Sequence, residues 1–213
     1  MQKFDFKKEY KELYMPDKNP SIIDVPEMLF IQVKGNGDPN TSPAYKNALE
    51  ILYGLSYTIK MSKIKGNQPA GYFDFVVPPL EGFWWLDDIN YKGGAIPDKS
   101  KFGWISAIRQ PDFVTKEVFS EAKIALQKKK PELDVSLATL NKMKEGLCVQ
   151  IMHTGSYDDE PESIEEMEQY AIDLGYQIEI NDKRRHHEIY MNDARKTSKE
   201  KLKTIIRHPV MKG

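Results

Sequence analysis

A short pattern occurs twice in this chain, in the same order and at the same spacing. Phe30-Ile31-Gln32-Val33 is matched by Cys148-Val149-Gln150-Ile151 and Gly37 by Gly155, each pair 118 positions apart. The helical stretches that follow end in Leu55-Ser56-Tyr57 and Leu174-Gly175-Tyr176, and the halves close with Ile108-Arg109-Gln110-Pro111 and Ile206-Arg207-His208-Pro209. Four landmarks in one order read as a duplication, which constrains the fold more than any local signal does. The repeated unit reads strand–helix–strand–strand. One copy has too little apolar surface to bury by itself. Two copies side by side make an α+β domain, a longer antiparallel sheet with both helices on one face.

The elements follow from periodicity and punctuation. Residues 1–21 are charged and aromatic, interrupted by Pro16 and Pro20, and read as an arm lying on the domain. Repeat 1 spans 22–111. It has a strand at Met28–Val33, a turn at Gly35–Pro39, and a helix capped by Ser42 with Pro43 at its first position. Tyr45, Ala48, Leu49 and Leu52 give that helix one apolar stripe to about residue 61. Gly71–Val77 reads as a strand closed by Pro78-Pro79, with Phe83–Leu86 as a further strand. A Gly-rich loop over Asp87–Lys101 leads to a strand at Phe102–Gln110. A helical connection over 112–146 carries Val118, Phe119, Ala122, Ala125 and Leu126 on its buried side and a second helix at Val135–Lys144. Repeat 2, 147–213, repeats the plan: a strand at Leu147–Met152, a helix from Pro161, and strands at Tyr176–Ile180, Lys183–Met191 and Thr204–Pro209. All of it is expected to form one domain.

Strand alternation then assigns faces. Leu29, Ile31, Val33, Phe73, Phe75, Val77, Leu147, Val149, Ile151, His187, Ile189 and Met191 are placed under the helices. Phe30, Gln32, Tyr72, Asp74, Cys148, Gln150, Glu188 and Tyr190 fall on the helix-free face, which is expected to be a ligand cleft. Glu188 is the central candidate. A carboxylate sunk among rings holds a cation or acts as a base towards water; the plain alternative is a solvated strand residue paired with a basic one. Trp84 and Trp85 are adjacent, so only one faces the core. Trp85 and Trp104 are favoured as walls for a flat ligand, with Phe30 and Tyr157 beside them. Tyr72 and Tyr190 are candidate hydroxyl donors, and Asp74 is the approximate two-fold mate of Glu188.

Composition removes other classes. The formal net charge is −1, which would not gather nucleic acid or an anionic membrane. The single cysteine, Cys148, allows no internal disulfide and has no His–Asn context for a thiol nucleophile. His153, His186, His187 and His208 lack metal spacing, and His186 and His187 face opposite ways, so no metal and no cofactor is expected. There is no signal-peptide stretch and no run of ~20 apolar residues, so a cytoplasmic protein is expected. Its partner is expected to be a hydrophobic or aromatic small molecule, given eleven Tyr, nine Phe and three Trp.

Val149-Gln150-Ile151-Met152-His153-Thr154-Gly155-Ser156-Tyr157-Asp158-Asp159-Glu160-Pro161, the helix Ile164–Leu174, Glu188-Ile189-Tyr190 and the ending Lys201–Val210 together resemble the gyrase-inhibitor-like (GyrI-like) family over residues 22–211. The resemblance implies a duplicated strand–helix–strand–strand (SHS2-type) fold and a small-molecule pocket with its glutamate at Glu188. Relatives include effector-binding domains of multidrug-responsive transcription activators, which hold aromatic cations. This chain has no helix-turn-helix, so a regulatory role is not expected. Some stand-alone members hydrolyse cyclopropane-bearing, DNA-alkylating antibiotics, and this chain is most similar to those. Two functions are thus expected in order: a cyclopropanoid cyclopropyl hydrolase, with Glu188 activating water and Tyr72 or Tyr190 assisting, or a sequestering module for planar or cationic amphiphiles. A protein partner such as gyrase has no support in the sequence.

Overall fold

The computed structural model describes residues 3–86, 91, 93 and 98–213. Two short helices, α1 (Phe6–Glu9) and α2 (Lys11–Tyr14), precede a long strand β1 (Ser21–Asn36). Then come α3 (Pro43–Lys60), β2 (Leu80–Leu86), β3 (Phe102–Arg109) and α4 (Lys116–Lys129), followed by β4 (Ala138–Thr154), α5 (Glu160–Asp173), β5 (Tyr176–Ile178), β6 (His186–Tyr190) and β7 (Lys203–Lys212). The sheet runs β4-β1-β3-β2-β6-β7-β5, and β4 pairs with β7 as well as with β1. Six antiparallel strands therefore close into a barrel-like ring, which leaves few unpaired edges. Ser42 caps α3 by accepting from the Tyr45 N–H, and Thr115 caps α4 by accepting from Val118, as their positions before the apolar stripes anticipate.

The two sides of the ring are filled differently. Outside, α3 and α4 pack on Ile31, Val33, Trp84, Phe102, Trp104 and Ile108. A second outer cluster sets Ile164, Met167 and Ala171 of α5 on Val149, Ile151 and Ile206. Inside, every strand of the ring contributes to one cluster: Phe30, Phe83, Ala107, Cys148, Ile189 and Ile205. The arm closes that cluster with Phe6, Leu13 and Tyr14, all fully buried or nearly so. Gly146, at φ +69°, marks where β4 changes its facing. Glu145 and Cys148, three residues apart, thus both serve the inner side.

The arm is latched by buried polar groups. Tyr14 donates its hydroxyl to Glu81 at 3.1 Å, Gln150 donates to the Glu12 carbonyl at 2.8 Å, and Arg207 donates to the Leu13 carbonyl at 2.9 Å. Behind them His187 lies 3.1 Å from Glu81 and 3.0 Å from Glu145, stacked on Phe83, and Arg207 reaches Glu145 at 3.2 Å. Burial alone would raise the Glu145 carboxyl, but His187 and Arg207 outweigh it and hold it at about 2. Burial likewise opposes a charge on His187, yet Glu145 and Glu81 raise its pKa above the ordinary histidine value.

Several expectations are corrected. The cleft is not on the helix-free side: the arm plugs that side, and the open cleft lies among the helices. The parity of Lys183–Met191 is right but its facing is inverted, for His187 and Ile189 look into the ring while His186, Glu188 and Tyr190 look out. Residues 138–144 are strand, because β1 is longer than expected and its Glu27–Val33 edge pairs with Lys144–Ala138. Tertiary pairing there overrides a helix-like spacing. Gly71–Val77 joins no strand; Phe75 makes one bridge to Phe4 of the arm, and Pro78-Pro79 supplies no donors to a ladder. Most of the loop expected over 87–101 lies outside the described residues.

The Glu145 latch predicts a specific acid sensitivity. Glu145 stays ionised in the folded protein down to about 2, whereas an unfolded glutamate protonates near ~4.3. Its contribution to stability is therefore present above ~4.3 and lost as pH falls towards 2. Urea titrations across that window should show a steeper loss for the wild type than for Glu145→Gln; parallel curves would remove the latch from the account of stability.

Candidate active site

A cavity of about 2000 Å³ runs along α3 beside α4 and the 191–196 segment, and reaches the outer face of β2 and β6 next to Glu160 at the start of α5. That is room for a flat ligand of several fused rings. Its floor follows from strand register. Gly82 of β2 lies opposite Glu188 of β6, and Trp84 lies opposite His186. A side chain at 82 would put its Cβ 2.6 Å from the Trp84 indole nitrogen and 3.0 Å from the Tyr190 hydroxyl, so only glycine admits both over the strand. Trp84 Nε1–H donates to that hydroxyl at 2.9 Å. Tyr45 from α3 tilts against Trp84 with ring centroids 5.8 Å apart, and Tyr157 meets Tyr190 edge-on at 5.8 Å.

The turn before α5 brings in the remaining groups. His153 at the end of β4 bonds the Ser156 carbonyl and the Ser163 hydroxyl, at 3.0 and 2.9 Å, and so fixes the turn. Gly155, at φ +147°, makes the bend, and its N–H donates to the Leu202 carbonyl. Tyr157 and Glu160 follow, aimed at Glu188. Glu160 is 2 % exposed and Glu188 8 %. Burial, then the charge of Glu188, pushes the Glu160 carboxyl well above the ordinary range. Burial also raises the hydroxyls of Tyr45, Tyr91, Tyr157 and Tyr190, with Glu188 adding to each; Tyr157 reaches about 12. The cleft thus offers hydroxyl donors and, at Glu160, a carboxyl driven towards its neutral form beside Glu188.

Glu188 Oε1 lies 2.8 Å from His186 Nε2, and the ligating atoms of Glu160, His186 and Glu188 fall within 4.8 Å of one another. Spacing along the chain did not show this grouping, because it forms between neighbouring strands and a helix end. We read it as a proton-sharing cluster: Glu160 is driven towards its neutral form, a poor metal ligand, and His186 is bonded at both ring nitrogens.

The structure sorts the expected site residues. Glu188, Tyr190 and Tyr157 line the cleft. Trp85 does not: it faces inward over Gly103, where a methyl would overlap its ring, with Lys34 and Arg185 5.5 and 4.7 Å from it. Trp84 takes the place expected of it. Trp104 is core behind the cleft, lying over Gly35 with Tyr45 edge-on at 5.0 Å. Phe30 is inside the ring, edge-on to Phe83. Tyr72 donates to the Lys60 carbonyl at 2.6 Å, and Asp74 pairs with Lys63 at 2.6 Å; both lie away from the cleft. Asp74 is therefore no mate of Glu188. Glu160, His186, Tyr45 and Tyr91 were not expected. Tyr45 was assigned to a core stripe, and Glu160 had only its place before Pro161 as a signal.

Comparison with known proteins places this geometry. No curated protein matches the chain. A hydrolase of known structure from Listeria innocua is 45% identical over 98% of this chain and 100% of its own, with a TM-score of 0.89. A conserved protein from the same organism is 46% identical over the same shares, with a TM-score of 0.92. The C-terminal domain of EcmrR, 14% identical over 92% of this chain and 98% of its own, shares the fold at a TM-score of 0.52. The model of the GyrI-like small molecule binding domain matches residues 18–211, and the chain belongs to that family.

Proposed function

We propose that this protein is a hydrolase that opens the cyclopropane of DNA-alkylating cyclopropanoid antibiotics, a detoxifying activity. The observation that carries the reading is Glu188 at the floor of an aromatic cleft, flanked by a carboxyl driven towards its neutral form and by tyrosine hydroxyls. The hydrolases of similar sequence support it. We also infer that the strand–helix–strand–strand halves arose by duplication, as the matched landmarks indicate.

The substrate carries a three-membered ring conjugated to a dienone. Water adds its oxygen to the ring CH₂, the strained C–C bond breaks, and its electron pair flows to the dienone oxygen. Glu188 takes the proton that water loses. The dienone oxygen, becoming a phenol, takes a proton from Glu160, with Tyr190 or Tyr157 donating a hydrogen bond as charge develops. Tyr190 accepts from Trp84 and bonds Glu188 through its hydroxyl, so a donation to substrate would replace that bond as Glu188 takes its proton. Trp84 and Tyr45, packed against each other, form one aromatic wall for the flat ring system. Ring strain and the aromaticity gained make the chemistry easy, so positioning supplies much of the acceleration.

A second reading uses the same cleft without chemistry: sequestration of planar or cationic amphiphiles against Glu188. Calorimetry separates the two, since saturable binding of an intact cyclopropanoid with no product by chromatography would favour sequestration.

Glu188→Gln keeps the shape and removes the base. Turnover should fall by roughly 10²–10⁴-fold at unchanged circular dichroism, and equal rates for the two proteins would refute the mechanism. Trp84→Leu removes a stacking surface worth ~0.5–1.5 kcal/mol, so KM should rise up to about tenfold in steady-state assays. A change confined to kcat would mean Trp84 does not hold the ligand.

A further inference from the structure

Behind Glu188 runs a continuous chain of polar atoms. Glu188 Oε1 lies 2.8 Å from His186 Nε2, His186 Nδ1 lies 2.8 Å from His208 Nε2, and His208 Nδ1 lies 2.9 Å from Glu168 Oε1. The two imidazoles are fully buried, while the Glu168 side chain on α5 keeps 17% exposure. The cleft end is Glu188, and the far end, Glu168 on α5, is partly open to solvent.

Counting hydrogens gives the chain its meaning. Each of the three links needs one hydrogen between its two heavy atoms. Two neutral imidazoles bring one N–H each, so a fully bonded chain holds one further proton. That proton has four equivalent places to be written. It sits on Glu188, with both rings protonated at Nδ1. It sits on either ring, as an imidazolium between two carboxylates. Or it sits on Glu168, with both rings protonated at Nε2. Passing between the first and last forms moves three protons across one link each, and both rings then carry Nε2–H; they must turn, or exchange that proton for one at Nδ1, before a second proton can follow.

We propose that His186, His208 and Glu168 form a proton relay that carries the proton gained by Glu188 out of the cleft to the solvent face of α5. The role of Glu188 as base belongs to the reading given above, and the relay rests on it. The balance is simple: water gives a proton to Glu188, the relay passes one out at Glu168, and Glu160 regains one from the open side of the cleft. His186 and His208 are positioning and transfer residues, for neither touches the reacting atoms. The fold protects the path. Tyr91 stands edge-on to His186 at 5.3 Å, and Gly93, at φ +98°, passes so close that a Cβ would lie 2.7 Å from the ring. Water is thereby kept off the inner ring. Among the described residues, the other titratable groups facing Glu188 are Tyr45, Tyr91, Tyr157, Glu160 and Tyr190.

Nitrogen-15 NMR of the imidazoles in the intact protein tests the relay without turnover, with His153 and His187 as internal references. His186 and His208 should change protonation together, at one shared midpoint. Glu168→Ala, at a helix position only partly exposed, removes the outer anion and should move that midpoint down for both rings by about one unit or more. In a His208→Gln background the same change should no longer reach His186. Separate midpoints, or a midpoint that Glu168→Ala leaves in place, would overturn the relay. A wild type that shows the joint titration yet opens no cyclopropane would remove the hydrolase reading and leave the relay standing.

Discussion

The pairing of β2 with β6 is the contact on which the site depends. It is one of two seams between the first and second halves of the chain, the other being β1 with β4, and it sets Gly82 against Glu188 and Trp84 against His186. Nothing within either half alone brings an indole, a tyrosine hydroxyl and a carboxylate together. A slip of one residue along that seam would send every side chain of β6 to the other face and empty the cleft of its acid. The closure of the ring by β4 and β7 works against such a slip, because β6 is held from both sides.

The same strand serves two unlike environments. Its even positions furnish the cleft and its odd positions furnish the interior, so the adjacent histidines 186 and 187 belong to separate networks. His187 is drawn towards its charged form by the carboxylates around it and contributes to cohesion. His186 stands between a cleft carboxylate and a second ring. Buried ionic clusters of the first kind add little net stability over apolar packing, but losing one partner is costly. The interior network is thus best understood as fixing the arm in one place.

Much of this was legible from residues alone. The strands at Met28–Val33, Phe102–Gln110 and Thr204–Pro209 announced themselves by alternation, and Ser42 and Thr115 marked their helices. The alternation at His186, Glu188 and Tyr190 put three cleft residues on one face. Which face that was could not be read, because alternation gives parity and not direction. The arm decided it, by covering the side that no helix covers; Phe6, Leu13 and Tyr14 carry no periodic signal that names their docking surface. Trp85 was preferred over Trp84 for want of one fact, that Gly103 makes a berth for its ring. Residues 138–144 went astray for a similar reason: the length of β1 settled their state, not their own spacing.

The distance along the chain between the arm and its partners has a consequence for folding. The Leu13 carbonyl is met by Arg207 across a sequence separation of 194, so Leu13 and Tyr14 have no berth until strands of both halves have paired. Contacts this distant in sequence form slowly, and until they do the two side chains stay open to other molecules.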